Sequence, residues 1–456
     1  MDTAITQSMT DAEKKRLYKK VLWRLLGAVG LLYCFFGLDN LLVGYAALTM
    51  RADLNINDTA YGIIRSAGFL AAFLFQIPYN ITIKKVGAQK LLPTVAIIWS
   101  LTSLLLFFAN SPVQVAISRF FNGIGDAGYF VCVMYWITLW LPSHERATFS
   151  SIFIATGSVT AIVGSPICGL IVDNINWLGL PGWRWLFLLP SALSLVIALV
   201  GYVLIKNRPE DAKWLNDRER DTIAEDLAYE QEVLADKEAE PITTTAAEIK
   251  HAFANKTLWM LGFTYFFFQM AMLTCGSWMT MIIQGFAPGI TGAEIGYISA
   301  APALLSIVFS ILVSKNSDKT KERKWHMIFP VFCGALSFLL FTLPIGLWAK
   351  IIVLGILGSF GLSSWYGPFW TLPAALLPAS ISNIGIAVIC CMSSLSGFLG
   401  NLIAGVISEQ FGHVGLLLFF ALAVFLGIAM SFTLDYKKVA LVDKGKAVDE
   451  AKENLV

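Results

Sequence analysis

What most limits the fold of this chain is a rhythm of apolar stretches, each at least as long as the roughly 20 residues a helix needs to cross a bilayer. They fall near residues 23–48, 60–83, 90–109, 113–141, 148–172 and 185–205, then 257–283, 293–314, 325–344, 346–372, 384–408 and 412–434. Six come before a polar interruption and six after it. Soluble chains carry about 25% charged residues. This one has 14%, with 57% hydrophobic residues. The sequence therefore predicts an all-α integral membrane protein of 12 transmembrane helices in two six-helix halves. Its expected parts are an N-terminal segment (1–22), a first bundle (23–205), a central linker (206–256), a second bundle (257–434) and a tail (435–456).

Charge placement gives the expected orientation. Of the 33 Lys and Arg, only Arg51, Arg184 and Lys350 fall in segments on one side, and Arg24, Arg65 and Arg119 fall inside spans. The rest gather on the other side, which the positive-inside rule makes cytoplasmic. Both termini, the linker and the tail are expected there, in a plasma membrane (the inner membrane of a bacterium). The net charge of +2 offers no basic surface for nucleic acid. Residues 1–20 are polar, and the apolar run after them exceeds the 7–15 residues of a signal-peptide core, so no cleavable leader is expected. The seven cysteines lie in apolar runs without CxxC spacing, which argues against disulfide frameworks and zinc sites. The linker reads as a solvated tether, with a docking segment as the alternative. The basic loops NITIKKVGAQK and SKNSDKTKERK follow the second and eighth spans, corresponding positions in two halves of the kind that hold a midplane substrate site between them.

Ionisable groups inside a bilayer are costly and mark pathways or buried pairs. The candidates are Asp39 in the first span, Arg65 in the second, and Arg119 and Asp126 in the fourth. At 1.5 Å per residue, Asp39 lies about 14 Å and Arg65 about 8 Å below the outer face, close enough for a long guanidinium to bridge them. Asp126 lies about 20 Å deep, one heptad from Arg119. It is either a proton site or the partner of Arg119. Glu294 opens the eighth span and reads as a helix-start charge. All four histidines fall in loops or at span edges, so proton coupling falls to Asp126 and Asp39. Tyr45, Tyr129, Tyr135, Tyr265, Gln269, Trp365, Tyr366 and Asn401 are polar or aromatic candidates for an inner face. GPFWTLP and GSP are expected to break the tenth and fifth spans where backbone lines a cavity. There is no GxxxxGK[ST], GxSxG or HExxH. No enzyme and no cofactor is expected, and an ion gradient would have to drive any transport.

DNLLVGYAALTM, FQIPYN, KKVGAQK, RFFNGIGDAGYF, LPSHERA, GWRWLF, SDKTKERKWH, GPFWTLPAALLP and GNLIAGVISEQFG occur in that order. Together they resemble the major facilitator superfamily, and within it the anion:cation symporter branch that carries sugar acids and aromatic acids. The resemblance implies that superfamily's fold, a small-molecule substrate, protons as coupling ion and a monomer in the bilayer. It also frames the departures. Asn40 stands where the branch commonly has the Arg of an Asp-Arg pair. Asp126 replaces a Glu, Gln76 replaces a Glu, Cys390 and Ser394 replace Asn residues, and Arg65 replaces a small residue. A cation is lost at Asn40 while one is gained at Arg65.

The expected function is import of a small organic anion (a sugar acid, aromatic acid or related carboxylate or sulfonate) by proton symport. Asp126 and Asp39 would carry the proton. Arg65, Asn40, Tyr45, Arg119, Tyr135, Tyr265, Gln269, Trp365, Ser394 and Asn401 would hold substrate. The competing readings are an exchanger or facilitator of a neutral or zwitterionic metabolite, and a non-transporting sensor on the same fold.

Overall fold

The computed structural model describes residues 9–235 and 246–439. Parts of the expected N-terminal segment, central linker and tail (1–8, 236–245 and 440–456) lie outside the described residues. Among those described there is no strand. The first half contains α1 (Asp11–Asp53), α2 (Asp58–Val86), α3 (Ala88–Leu105), α4 (Pro112–Ile137), α5 (Ser143–Asn174) and α6 (Gly182–Leu204). The linker holds α7 (Asp217–Ala235) and α8 (Ala246–Ala254). The second half follows with α9 (Lys256–Phe286), α10 (Gly292–Thr320) and α11 (Lys324–Phe341). Short elements come next, α12 (Leu347–Val353), α13 (Ser359–Ser364), α14 (Tyr366–Trp370) and α15 (Leu372–Leu376), and then α16 (Ala379–Ser431).

Ten helices among the described residues are long and apolar enough to cross a membrane. α4 is not one of them, because Gln114, Arg119, Asn122 and Asp126 dilute its hydropathy. α16 has 53 residues, but Gly412 breaks it with φ 65° and ψ −164°. The stretch from α12 to α15 is interrupted as GPFWTLP suggests. A wide π turn occupies Leu354–Gly358, and Pro368 and Pro373 lack the N–H that would continue the ladder. GSP makes no such break, since Pro166 sits inside a continuous α5. Glu294 closes a capping box with Thr291 at the start of α10, the helix-start role its position suggests.

Packing divides the molecule unevenly. One apolar core gathers Leu17–Leu32 of α1, parts of α3 and α4, and Leu215 and Ile223 of the linker. A second joins Leu42–Met50, Tyr61 and Trp183 of the first half to residues from Leu258 to Val439 of the second. The halves are therefore fused at the end opposite the linker and have separate cores near it.

The fused end is closed by the same device twice. Glu409 at the end of the first limb of α16 accepts from the backbone N–H groups of Asp58 (2.8 Å) and Thr59 (3.3 Å), which open α2. Asp173 at the end of α5 accepts from those of Gly292 (3.0 Å) and Ala293 (2.7 Å), which open α10. Each carboxylate satisfies orphan donors and complements the positive end of a helix dipole in the opposite half. Asp58 also pairs with Arg51 and accepts from Ser408. Beneath these caps the backbones nearly touch. A Cβ on Gly62 would lie 2.6 Å from the Asn401 carbonyl oxygen and 2.8 Å from Gly405 Cα, and one on Gly169 would lie 2.1 Å from the Gly292 carbonyl oxygen. Small residues permit such approach between membrane helices.

Gly62→Leu should force this end apart, because its side chain meets backbone that cannot yield. Spin labels at Asn176 and Gln410 should move several ångströms further apart in the variant. An unchanged distance distribution would show that the glycine contact does not hold the seal.

Candidate functional site

Between the halves, on the linker side of the seal, lies a cavity of about 350 Å³. Helical spacing explains which side chains reach it. Tyr33, Phe36 and Asn40 of α1 are three and four residues apart and share a face. Arg65, Phe69, Ala72 and Gln76 do the same on α2, and Arg119, Asp126 and Phe130 on α4. The second half supplies Tyr366, Ser393 and Ser394. Every ionisable group on the wall except the Tyr366 phenol therefore belongs to the first half.

Charge pairing differs from what depth alone suggests. Asp39 binds Arg119 rather than Arg65, with Arg119 Nη1 donating to Asp39 Oδ2 at 2.8 Å. Ser103 Oγ donates to the other carboxylate oxygen and accepts from Asn122 Nδ2 at 2.9 Å. Asp39 and Arg119 are 3% and 4% exposed, so the pair is buried and its charges meet each other, although Arg119 Nε has no partner. The physical reason is azimuth. Successive helix residues point about 100° apart, so Asn40 faces the cavity while Asp39 turns inward to α3 and α4. The same pairing draws the Arg119 fork away from Asp126, and the heptad-spaced bridge does not form.

Two groups of opposite sign remain. Arg65, 7% exposed, donates from Nη2 to Ser277 Oγ (2.8 Å) across the half boundary and from Nη1 to the Asn40 carbonyl (3.3 Å). Its Nε has no partner, and among the described residues no carboxylate pairs with it. Asp126 Oδ1 is buried without a hydrogen-bond partner. The wall thus offers one guanidinium with no salt-bridged carboxylate and, across the same cavity, one carboxyl with no hydrogen bond to Oδ1.

The remaining candidates sit behind the wall. Gln269 Nε2 donates to the Tyr265 hydroxyl (2.9 Å), which faces the Tyr366 hydroxyl at 3.5 Å. Trp365 is buried and spends its N–H on the Leu362 carbonyl. Asn401 accepts from Trp278 Nε1 and donates to the Gly397 carbonyl. Tyr45 is buried in the core of the fused end, and Tyr135 packs half-buried against the first-half core. The structure therefore brings Asn40, Arg65, Arg119, Asp126 and Ser394 together on the cavity wall, and places Asp39, Tyr45, Tyr135, Tyr265, Gln269, Trp365 and Asn401 off it. Tyr33, Phe36, Phe69, Phe130 and Ser393 are wall residues that the sequence candidates omit. For the four rings, a spacing of four or seven residues from Asn40, Arg65 or Asp126 is the signal that reveals them; Ser393 adjoins the candidate Ser394.

The Major Facilitator Superfamily matches residues 29–401. A protein of Agrobacterium vitis named as a tartrate transporter is 30% identical over 404 residues, covering 89% of this chain and 88% of that one. A protein of Pseudomonas putida named as the metabolite transport protein NicT is 30% identical over 426 residues, 92% of this chain and 95% of that one. Among solved structures, the bacterial homologue of the human lysosomal transporter Spinster, inward-facing and occupied, superposes with a TM-score of 0.73 at 16% identity, over 93% of this chain and 98% of that one. A D-xylose–proton symporter gives 0.67 at 14%, over 90% and 96%.

Removing one member of the Asp39–Arg119 pair strands a buried charge, at a cost of about 3–5 kcal/mol. Asp39→Asn and Arg119→Gln should each lower the melting temperature in detergent, and the double change should recover much of the loss. A double variant no more stable than the sum of the two losses would show that the charges are not coupled.

Proposed function

The chain belongs to the major facilitator superfamily, and from that premise we propose that this multi-pass membrane transporter imports a small organic anion together with a proton by alternating access. The observation that carries the reading is Arg65, a buried guanidinium on the cavity wall with no carboxylate partner. Arginine presents a fork that matches a carboxylate in bidentate fashion, and in a water-poor cavity that contact is strong. The twelve spans of this reading are the ten apolar helices with α16 divided at Gly412, plus α4. The Lys and Arg bias puts both termini and the linker in the cytoplasm, in a plasma membrane. The cavity then faces inward and the fused end faces outward. The working unit is a monomer.

Proton coupling follows from the charge on the wall. With Asp126 ionised, the empty cavity holds one positive and one negative group beyond the Asp39–Arg119 ion pair. With substrate on Arg65 and a proton on Asp126, the cavity is again balanced. Anion without proton leaves a net negative charge, and proton without anion a net positive one. Burying either imbalance is expensive when the halves close over it. Only the empty and the fully loaded carrier occlude readily, and that restriction is symport. Asp39 supports the cycle by holding Arg119 rather than by carrying the proton.

One alternative keeps its footing on the same geometry. A zwitterion could satisfy Arg65 and an ionised Asp126 together, and its exchange would be independent of protons.

In proteoliposomes, Asp126→Asn should abolish uphill accumulation driven by a proton gradient and retain counterflow exchange. Arg65→Lys should weaken anion binding about tenfold or more, since the charge stays and the fork is lost. Uphill uptake at the wild-type level by Asp126→Asn would remove the carboxyl from the proton path. Wild-type transport with no proton dependence at all would favour the zwitterion.

A further inference from the structure

We infer that the anion is a single-ring aromatic monocarboxylate, held by its carboxylate on Arg65 and by its ring between the two halves, and that polyhydroxy dicarboxylates are excluded. The inference rests on the reading that Arg65 binds an organic anion.

The number of available charges sets the valence. Arg119 reaches the wall, but its charge is met by Asp39 at 2.8 Å. Arg65 is left as the one wall cation with no carboxylate beside it among the described residues. A dianion would place its second carboxylate in a cavity whose other unengaged ionisable group is Asp126, a carboxyl itself. A monoanion that arrives with one proton for Asp126 leaves no charge unpaired.

The walls set the shape. Tyr33 and Phe36 stack on one another with centroids 5.5 Å apart and planes 10° from parallel, and Phe130 leans against Tyr33 at 6.3 Å. Phe69 is wedged against Gly397 of the second half, where a Cβ would lie 2.4 Å from its ring. Tyr366 adds a ring from the second half, held from behind by Tyr265. Phe153 stacks on Tyr33 at 4.3 Å, so that ring is covered by Phe36 and Phe153 and offers its edge; rings from both halves favour a planar guest in offset or edge contact. The neutral hydrogen-bonding groups on the wall are Asn40, Gln76, Ser393, Ser394 and the hydroxyls of Tyr33 and Tyr366. Part of that capacity is already spent: Asn40 donates to the Phe36 carbonyl at 3.4 Å, Tyr366 is engaged by Tyr265, and Gln76 has a partner. A polyol would have to compete for these groups and would bury its remaining hydroxyls against rings, which costs more than it gains. Ser393 and Ser394 can serve one polar substituent at the far side of a ring, so that the ligand touches both halves at once. At about 350 Å³ the cavity lies at the small end of the ~300–1,000 Å³ range of small-molecule sites, which suits one ring rather than several.

The test is a thermal-shift and equilibrium-binding panel on the full chain in detergent. Its members are benzoate and 4-hydroxybenzoate (aromatic monoanions), phthalate (aromatic dianion), gluconate (polyol monoanion), tartrate (polyol dianion) and benzamide (neutral ring). Benzoate and 4-hydroxybenzoate should stabilise the protein in a concentration-dependent way, and the other four should bind at least tenfold more weakly. Tyr366→Leu and, separately, Phe130→Leu should each weaken benzoate severalfold while leaving the ligand-free melting temperature close to wild type. Arg65→Lys should weaken benzoate about tenfold. Preference for tartrate or gluconate would overturn the aromatic assignment and leave the organic-anion reading standing. Benzamide binding as well as benzoate, with Arg65→Lys indifferent, would overturn both. No binding by benzoate at all would end the inference.

Discussion

The ion pair between Asp39 and Arg119 is the constraint on which the rest of the site depends. Four ionisable groups in the midst of apolar helices could be combined in several ways, and each combination makes a different machine. By joining α1 to α4 with a buried 2.8 Å contact, reinforced by Ser103 and Asn122, the fold settles two of the four. What is left over is one cation and one carboxyl. Arg65 is anchored only by neutral acceptors, and Asp126 has a carboxylate oxygen with nothing to receive. Charges that are not paired within the protein are the ones that can be paired by cargo.

The architecture was legible because its signals are long. A run of twenty apolar residues survives an error of several positions at either end, and the helices lie where those runs predict. The site was legible only in part, because it depends on azimuth. Depth arithmetic put Asp39 within reach of Arg65, yet one residue of rotation separates a wall position, Asn40, from a buried one, Asp39. Of the aromatic candidates Tyr366 lies on the wall, and others lie off it for a related reason. Tyr265 and Trp365 have the composition of a binding surface but lie one layer back, supporting Tyr366. Tyr33 and Phe36 are absent from the sequence candidates, and their register with Asn40 places them on the cavity. The caps at the fused end were beyond reach altogether, because Glu409 and Asp173 meet helix starts more than a hundred residues away.

The linker shows how charge can convert a tether into a part. A solvated connection was the simpler reading of its acidic and basic run, yet α7 is docked on the first half. Lys14 and Tyr18 both reach Asp226, at 2.6 and 2.7 Å, Lys20 reaches Glu219 at 2.8 Å, and Arg146 reaches Glu230 at 3.1 Å. Burial works against the charge on Glu219, but the Lys20 ammonium and the Asn216 backbone N–H hold its carboxyl below the usual range. Trp214 lies under both Lys20 and Arg24. Single exposed pairs are worth little; a set that ties one helix to α1 and to the start of α5 at once fixes its position. α7 is therefore packed as part of the first half.

The division of labour between the halves has a mechanical consequence for the proposed cycle. Arg65, Arg119, Asp39 and Asp126 all belong to α1, α2 and α4, so proton and anion would be held by one rigid body throughout. The second half meets the cavity with hydroxyls and a ring, and its nearest link to a charge is Ser277, which accepts from Arg65 at 2.8 Å. That bond is the one a carboxylate would compete with, because it occupies Nη2 of the same fork. An anion arriving on Arg65 would thus weaken a contact between the halves at the moment it neutralises the guanidinium. The seal on its far side does not depend on that bond alone, since Tyr61 donates to the Ser277 carbonyl at 2.9 Å and Thr280 to the Gly44 carbonyl at 2.8 Å. In the proposed cycle substrate would therefore loosen one strand of a seal whose remaining strands are neutral hydrogen bonds, glycine contacts and two capped helix ends. These are interactions that two rocking bodies can break and remake without exposing a bare charge to lipid.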